Sequence, residues 1–180
     1  MKNETFLKTK LSLRAKAIEV SEKFNVIFEE LGCDLTTSSK NDSWTISESI
    51  THVYLVNQYL IKKIEKKIEF LHAGLLNNEN EYKESDLSIV NTMLNVSVFN
   101  IKSLNEFSTK LNYSKDELNL KIIGQFRMLF NLISKVPLDF VNNYLTDMKV
   151  ISGVRLDGYQ LIYFALIHSE HHLNQIITEV

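Results

Sequence analysis

The sequence predicts an all-α fold, a four-helix bundle with one longer crossover connection, and three observations carry that reading. A single proline (Pro137) and five glycines punctuate 180 residues, so long helices are the default. Apolar residues recur at helical spacing over four long segments. Two segments, Thr45-Ile46-Ser47-Glu48 and Ser114-Lys115-Asp116-Glu117, fit the capping-box pattern that starts a helix.

The first helix is expected over residues 8–31, with Leu11, Leu13, Ala15, Ala17, Ile18, Val20, Phe24, Ile27 and Phe28 apolar and Gly32 as its stop. Residues 34–43, rich in Ser, Thr, Asn and Asp, read as loop. The second helix starts near Thr45 and carries the stripe Ile46, Ile50, Val53, Val56, Leu60, Ile64, Ile68 and Leu71. Gly74 and the polar residues 77–83 end it. Leu87, Val90, Met93 and Leu94 suggest a short helix, whereas Val96, Val98 and Ile101 alternate with polar residues as in an extended crossing. The third long helix begins at the second capping box and continues through Leu118, Ile122, Phe126, Leu129, Phe130 and Ile133. Pro137 either kinks it or starts a further turn. After Asn142 and Asn143 a loop holds Ser152-Gly153. The last helix starts near Asp157, a good N-cap, and runs to about Thr178. Four amphipathic helices with one long connection make a bundle.

Length and composition suit one domain over residues 1–180, with 44% of residues in the AVILMFWYC set and 23% charged. A chain of this size buries roughly 70% of its unfolded surface and needs no staples. The net charge is -2. The basic cluster Lys62, Lys63, Lys66 and Lys67 is interleaved with Glu65 and Glu69, which reads as a solvated face, so no nucleic-acid partner is expected. Cys33 is the only cysteine, which excludes an intramolecular disulfide. No apolar leader follows Met1 and no run approaches the roughly 18 apolar residues of a membrane span, so no membrane partner and a cytoplasmic location are expected.

Five histidines offer the only chemical signal. At about 100° per residue, His168 and His172 lie about 40° apart, on the side of Leu161, Ala165 and Ile176. An i, i+4 pair presents two imidazoles to one point, as metal sites on a single helix do. A third donor must come from elsewhere. His52 borders the stripe of the second helix and is placed to meet the last one. His171 reads as exposed, His72 as a surface or capping residue, and Glu170 points nearly opposite His168. On spacing alone, three ordinary clustered histidines remain the alternative.

The last helix, His168-Ser169-Glu170-His171-His172-Leu173-Asn174-Gln175-Ile176, resembles the closing helix of the DinB-like (DinB/YfiT) superfamily. Its pattern is a histidine, three residues, a second histidine, then x-x-Gln-Ile. The segment from Trp44 through Thr45-Ile46 to His52 resembles the family's entry into helix two. Ile151-Ser152-Gly153 before an acidic-capped helix resembles its approach to the final helix. The resemblance covers about residues 8–178. The chain departs from it in lacking the family's loop prolines and in the polar stretch 77–84.

The resemblance implies a bundle of the DinB/YfiT type holding one divalent metal by His52, His168 and His172. Three neutral nitrogens suit zinc or nickel first, and manganese or iron are also admitted. It implies a small-molecule substrate and a homodimer, for which the broad stripes of the first and third long helices leave room. Relatives resemble thiol-dependent transferases using bacillithiol, mycothiol or glutathione, and others are described as metal-dependent hydrolases. The first expectation is therefore a metal-dependent thiol S-transferase acting on a small electrophile, with a low-molecular-weight thiol as co-substrate. The alternatives are a metal-dependent hydrolase, with Glu48 as base, and a non-catalytic stress-related metal-binding protein. Glu48 reads first as a cap, and Cys33 as an incidental thiol. Gln175 is placed to orient a ligand or to pack at the helix end. Tyr159 and Tyr163 are candidates for the pocket mouth, with Tyr163 equally placed to face solvent, and Trp44 reads as a helix-entry anchor ahead of a substrate contact.

Overall fold

Capping chemistry decides where the long helices start. In the computed structural model the described residues are 2–30, 35, 44–74, 85–95, 113–137, 146–147 and 155–177. They form α1 (Lys2–Glu30), α2 (Ile46–His72), α3 (Ser88–Asn95), α4 (Lys115–Lys135), β1 (Thr146–Asp147), β2 (Arg155–Leu156) and α5 (Gly158–Ile177). Both expected capping boxes are complete. The Thr45 hydroxyl accepts from the Glu48 amide (3.2 Å) while Glu48 accepts from the Thr45 amide (2.7 Å). Ser114 and Glu117 make the same exchange at α4, at 3.3 and 2.8 Å. At α5, Asp157 accepts from the amides of Tyr159 (2.8 Å) and Gln160 (2.9 Å), and the Gln160 side chain accepts from the Asp157 amide (3.0 Å). The Ser85 hydroxyl also donates to Asp157 (2.7 Å), which ties the entry of α3 to that of α5.

The ends follow backbone rules. Past α2, Gly74 has φ +66°, the left-handed conformation that glycine adopts most easily, and its amide bonds to the Leu71 carbonyl (3.0 Å). At α4 the expectation of a kink is corrected, because the helix stops at Lys135. Val136 is extended (φ -63°, ψ 114°), as the ring of a following proline requires. The further turn considered beyond Pro137 lies outside the described residues. So do Cys33, most of the loop 34–43, residues 77–83, the crossing 96–101 and Ser152-Gly153. The loop expected before α5 is corrected in part: β1 and β2 pair antiparallel, with Thr146 opposite Leu156 and Asp147 opposite Arg155. Two-residue strands leave too short a pattern to be read as alternation.

Four helices enclose the core in the cyclic order α1, α4, α2, α5, and α3 packs on α5. The expected stripe of α2 is buried from Ile46 to Ile68, and Leu118, Ile122, Phe126, Leu129 and Ile133 of α4 are buried with it. Phe24 of α1 meets Phe126 of α4 with centroids 5.5 Å apart, a tilted pair at the centre of the apolar packing. One expectation for α1 is corrected. Leu11 (55%) and Ile18 (47%) are exposed, as is Ala15. The apolar circumference of α1 is wider than the face formed by Leu13, Ala17, Val20, Phe24, Ile27 and Phe28. Among the described residues no helix is long and apolar enough to cross a membrane.

Candidate metal centre

The capping box at Thr45 sets the phase of α2 so that His52, two turns on, is turned inward. The N-cap at Asp157 does the same for α5, whose buried face runs through Leu161, Ala165, His168, Leu173 and Ile176. The two helices are pinned to each other beside the histidines. Asn57 Nδ2 donates to Ser169 Oγ (3.0 Å), and Ser169 Oγ donates to the Ala165 carbonyl (2.7 Å), with both side chains fully buried. Buried polar atoms require such partners. Ser169 directly follows His168, so this contact holds the backbone that carries it.

His52, His168 and His172 converge. One nitrogen of each lies within 4.8 Å of the others, and the ring centroids are 5.3 Å (His52–His168), 5.0 Å (His52–His172) and 4.7 Å (His168–His172) apart. His52 is 4% and His168 2% exposed, and His172 is partly buried. Phe164 stacks on His168 (5.6 Å, 22°). Exposed His171 meets the edge of His172 (5.6 Å, 73°), while His72 is exposed at the end of α2.

Burial pushes all three imidazoles towards the neutral form. The His52 pKa falls to about 4 through burial, and that of His172 to about 3 through burial and the neighbouring His52 and His171. His168 lies well below the usual histidine range through burial, then His172, His52 and His171. At neutral pH the cluster therefore presents uncharged nitrogen lone pairs, the form that binds metals. His168 Nδ1 is buried with no hydrogen-bond partner among the described residues. A buried imidazole nitrogen in that state is costly unless a further partner satisfies it. Three neutral nitrogens within reach of one point fit a divalent ion, and the unpartnered Nδ1 of His168 belongs to the same cluster.

Gln175 makes a side-chain hydrogen bond to His172 that works against the fall in its pKa. Gln175 thus touches one of the three histidines. Glu48 Oε2 accepts from the amide (2.7 Å) and the hydroxyl (3.0 Å) of Thr45, the cap role. The two tyrosines named for the pocket mouth have other partners. Tyr159 is buried in the core with its hydroxyl donating to the Val136 carbonyl (3.1 Å), and Tyr163 donates to Asn91 (2.8 Å). Neither hydroxyl is directed to the histidines. The Trp44 ring lies 5.0 Å from His52 and 6.5 Å from His172, nearly parallel to the latter at 20°.

Phe164 and the Asn57–Ser169 pair were missed. Phe164 precedes His168 by four residues, a spacing that places two side chains together on a helix. Glu170 points away from His168 as expected, and there it binds Lys16 (2.8 Å) and Lys23 (2.6 Å) of α1. Burial raises its pKa and the two ammonium groups more than offset that, leaving it lowered. The sequence model of the DinB superfamily matches residues 22–176. No curated protein and no solved structure matches the chain.

Proposed function

We propose, since this chain belongs to the DinB superfamily, that His52, His168 and His172 hold one divalent metal ion and that the site transfers a low-molecular-weight thiol to a small electrophile. The observation that carries the reading is the convergence of three neutral imidazoles from α2 and α5, one of them still partly exposed. Three protein nitrogens leave a coordination position for an exogenous ligand, as catalytic sites do. A divalent ion bound there supplies Lewis acidity, lowering the pKa of a thiol or water and polarising an electrophile. In the transfer, the thiol sulfur forms a bond to the electrophilic carbon, the leaving group departs with the bonding pair, and the thiol proton goes to solvent.

The chain's own residues prepare that site. Burial keeps the imidazoles unprotonated. Gln175 orients the His172 ring by its hydrogen bond, and Phe164 shields His168 from water. The hydrolytic reading needs a free general base, and the contacts of Glu48 hold that carboxylate at the start of α2. A second reading draws on the deep burial of His52 and His168: the metal ties α2 to α5 and no turnover follows.

Metal content by mass spectrometry of the wild type beside H52A and H168A tests the site. About one ion per chain, lost in both variants, is the expected result. Thiol consumption with bacillithiol, mycothiol or glutathione and a panel of electrophiles then tests the chemistry. Consumption that ignores removal and return of the metal would sink the transferase reading. Failure of azide or imidazole to bind the loaded protein would favour the structural tie.

A further inference from the structure

Exposure at the histidine cluster is uneven. His52, His168 and Phe164 are 4%, 2% and 1% exposed, while His172 and Trp44 remain only partly buried. Those last two are in contact, the indole nearly parallel to the imidazole. Phe164 covers His168, so among the described residues the accessible edge of the cluster is the one shared by His172 and Trp44. Tryptophan is large and is seldom fully buried, so the neighbours of its ring say more than its exposure does. Trp44 sets a large π surface against two imidazoles and keeps part of itself in solvent.

We propose that Trp44 selects the ligand, its indole stacking on the flat apolar body of a molecule whose donor atom reaches the three histidines. This rests on the metal-binding reading above. The ligand class is a thiol or electrophile with an aromatic or otherwise planar group next to its reactive atom. Stacking on one aromatic face strengthens binding by roughly three- to tenfold.

The test uses the full chain loaded with cobalt(II), whose visible absorption reports thiol binding without any turnover. Phenylmethanethiol and ethanethiol are titrated into wild type, Trp44→Phe and Trp44→Leu. The wild type is expected to favour the aromatic thiol. That preference should fall by about three- to tenfold in the leucine variant and stay within about twofold in the phenylalanine variant. Cyclohexylmethanethiol, with a ring of similar size that is not flat, should bind wild type more weakly than phenylmethanethiol, a comparison independent of whether any variant folds. An unchanged preference in Trp44→Leu, or equal binding of the two ring thiols, overturns the proposal. So does loss of cobalt from the Trp44 variants, which would make the indole a support for the imidazoles alone. A wild type that takes up no cobalt overturns the metal reading and this one with it, an outcome distinct from the others.

Discussion

The two main helix seams of this bundle are built from different chemistry. Where α1 meets α4, Phe24 packs on Phe126, and both helices bury apolar residues in the core, Leu13, Ala17 and Val20 from α1 and Leu129 and Ile133 from α4. Where α2 meets α5 the chain buries His52 beside His168 and Asn57 in a hydrogen bond to Ser169. An all-apolar seam would stabilise a bundle equally well or better, since buried polar groups contribute little net and cost much when unpaired. The apolar seam serves stability alone, and the other gives some stability up to assemble a site.

Truncating the apolar seam should produce the largest effect. Phe126→Ala removes a 2% exposed ring packed on Phe24 and should destabilise the protein by about 3–5 kcal/mol in chemical denaturation. Metal bound per folded chain should stay at the wild-type value, and a parallel loss of metal would show that the seams are not separable.

Acid should distinguish the seams next. The folded histidine pKa values lie below the unfolded value of about 6.5, so their contribution is fully present above that pH. It is lost as pH falls towards about 4 for His52 and about 3 for His172. Metal-free protein should lose stability through this window at about 1.4 kcal/mol per pH unit for each proton the folded state refuses. Burial raises the Asp157 pKa, which offsets part of the loss. Bound metal should shift the onset to lower pH, and identical acid melts with and without metal would count against the site.

Asn57→Ala leaves Ser169 without its partner across α2 and α5. It should cost about 1–3 kcal/mol and weaken metal binding, because His168 is adjacent. Equal metal affinity in wild type and variant would reduce the pair to ordinary packing. The smallest effect belongs to Glu170→Gln. It removes two partly exposed ion pairs to α1, worth under about 1 kcal/mol, and the difference from wild type should shrink in high salt.

How far these seams could be read in advance follows from the range of each interaction. The boxes Thr45–Glu48 and Ser114–Glu117 act over one turn, and the pair His168–His172 needs only helical spacing, so local sequence displays them. The convergence of His52 required a second argument, its position at the edge of a stripe together with the family resemblance. The contacts of Trp44 with His172, of Asn57 with Ser169 and of Lys16 and Lys23 with Glu170 each span more than a hundred residues. They depend on which helices become neighbours, which periodicity does not encode. Tyr159 illustrates the opposite error: near the last helix's start it sits on the buried face but at the far end from the histidines, with its hydroxyl on Val136.

Trp44 is the only tryptophan in the chain, and it lies against His52 and His172. The molecule thus carries one indole, which can be excited apart from its tyrosines, at the end where its polar seam is assembled. Its emission reports on that end alone, whereas the helical circular dichroism averages over the whole chain. Opening at the histidines ahead of the rest would separate the two signals, and a cooperative bundle would make them coincide.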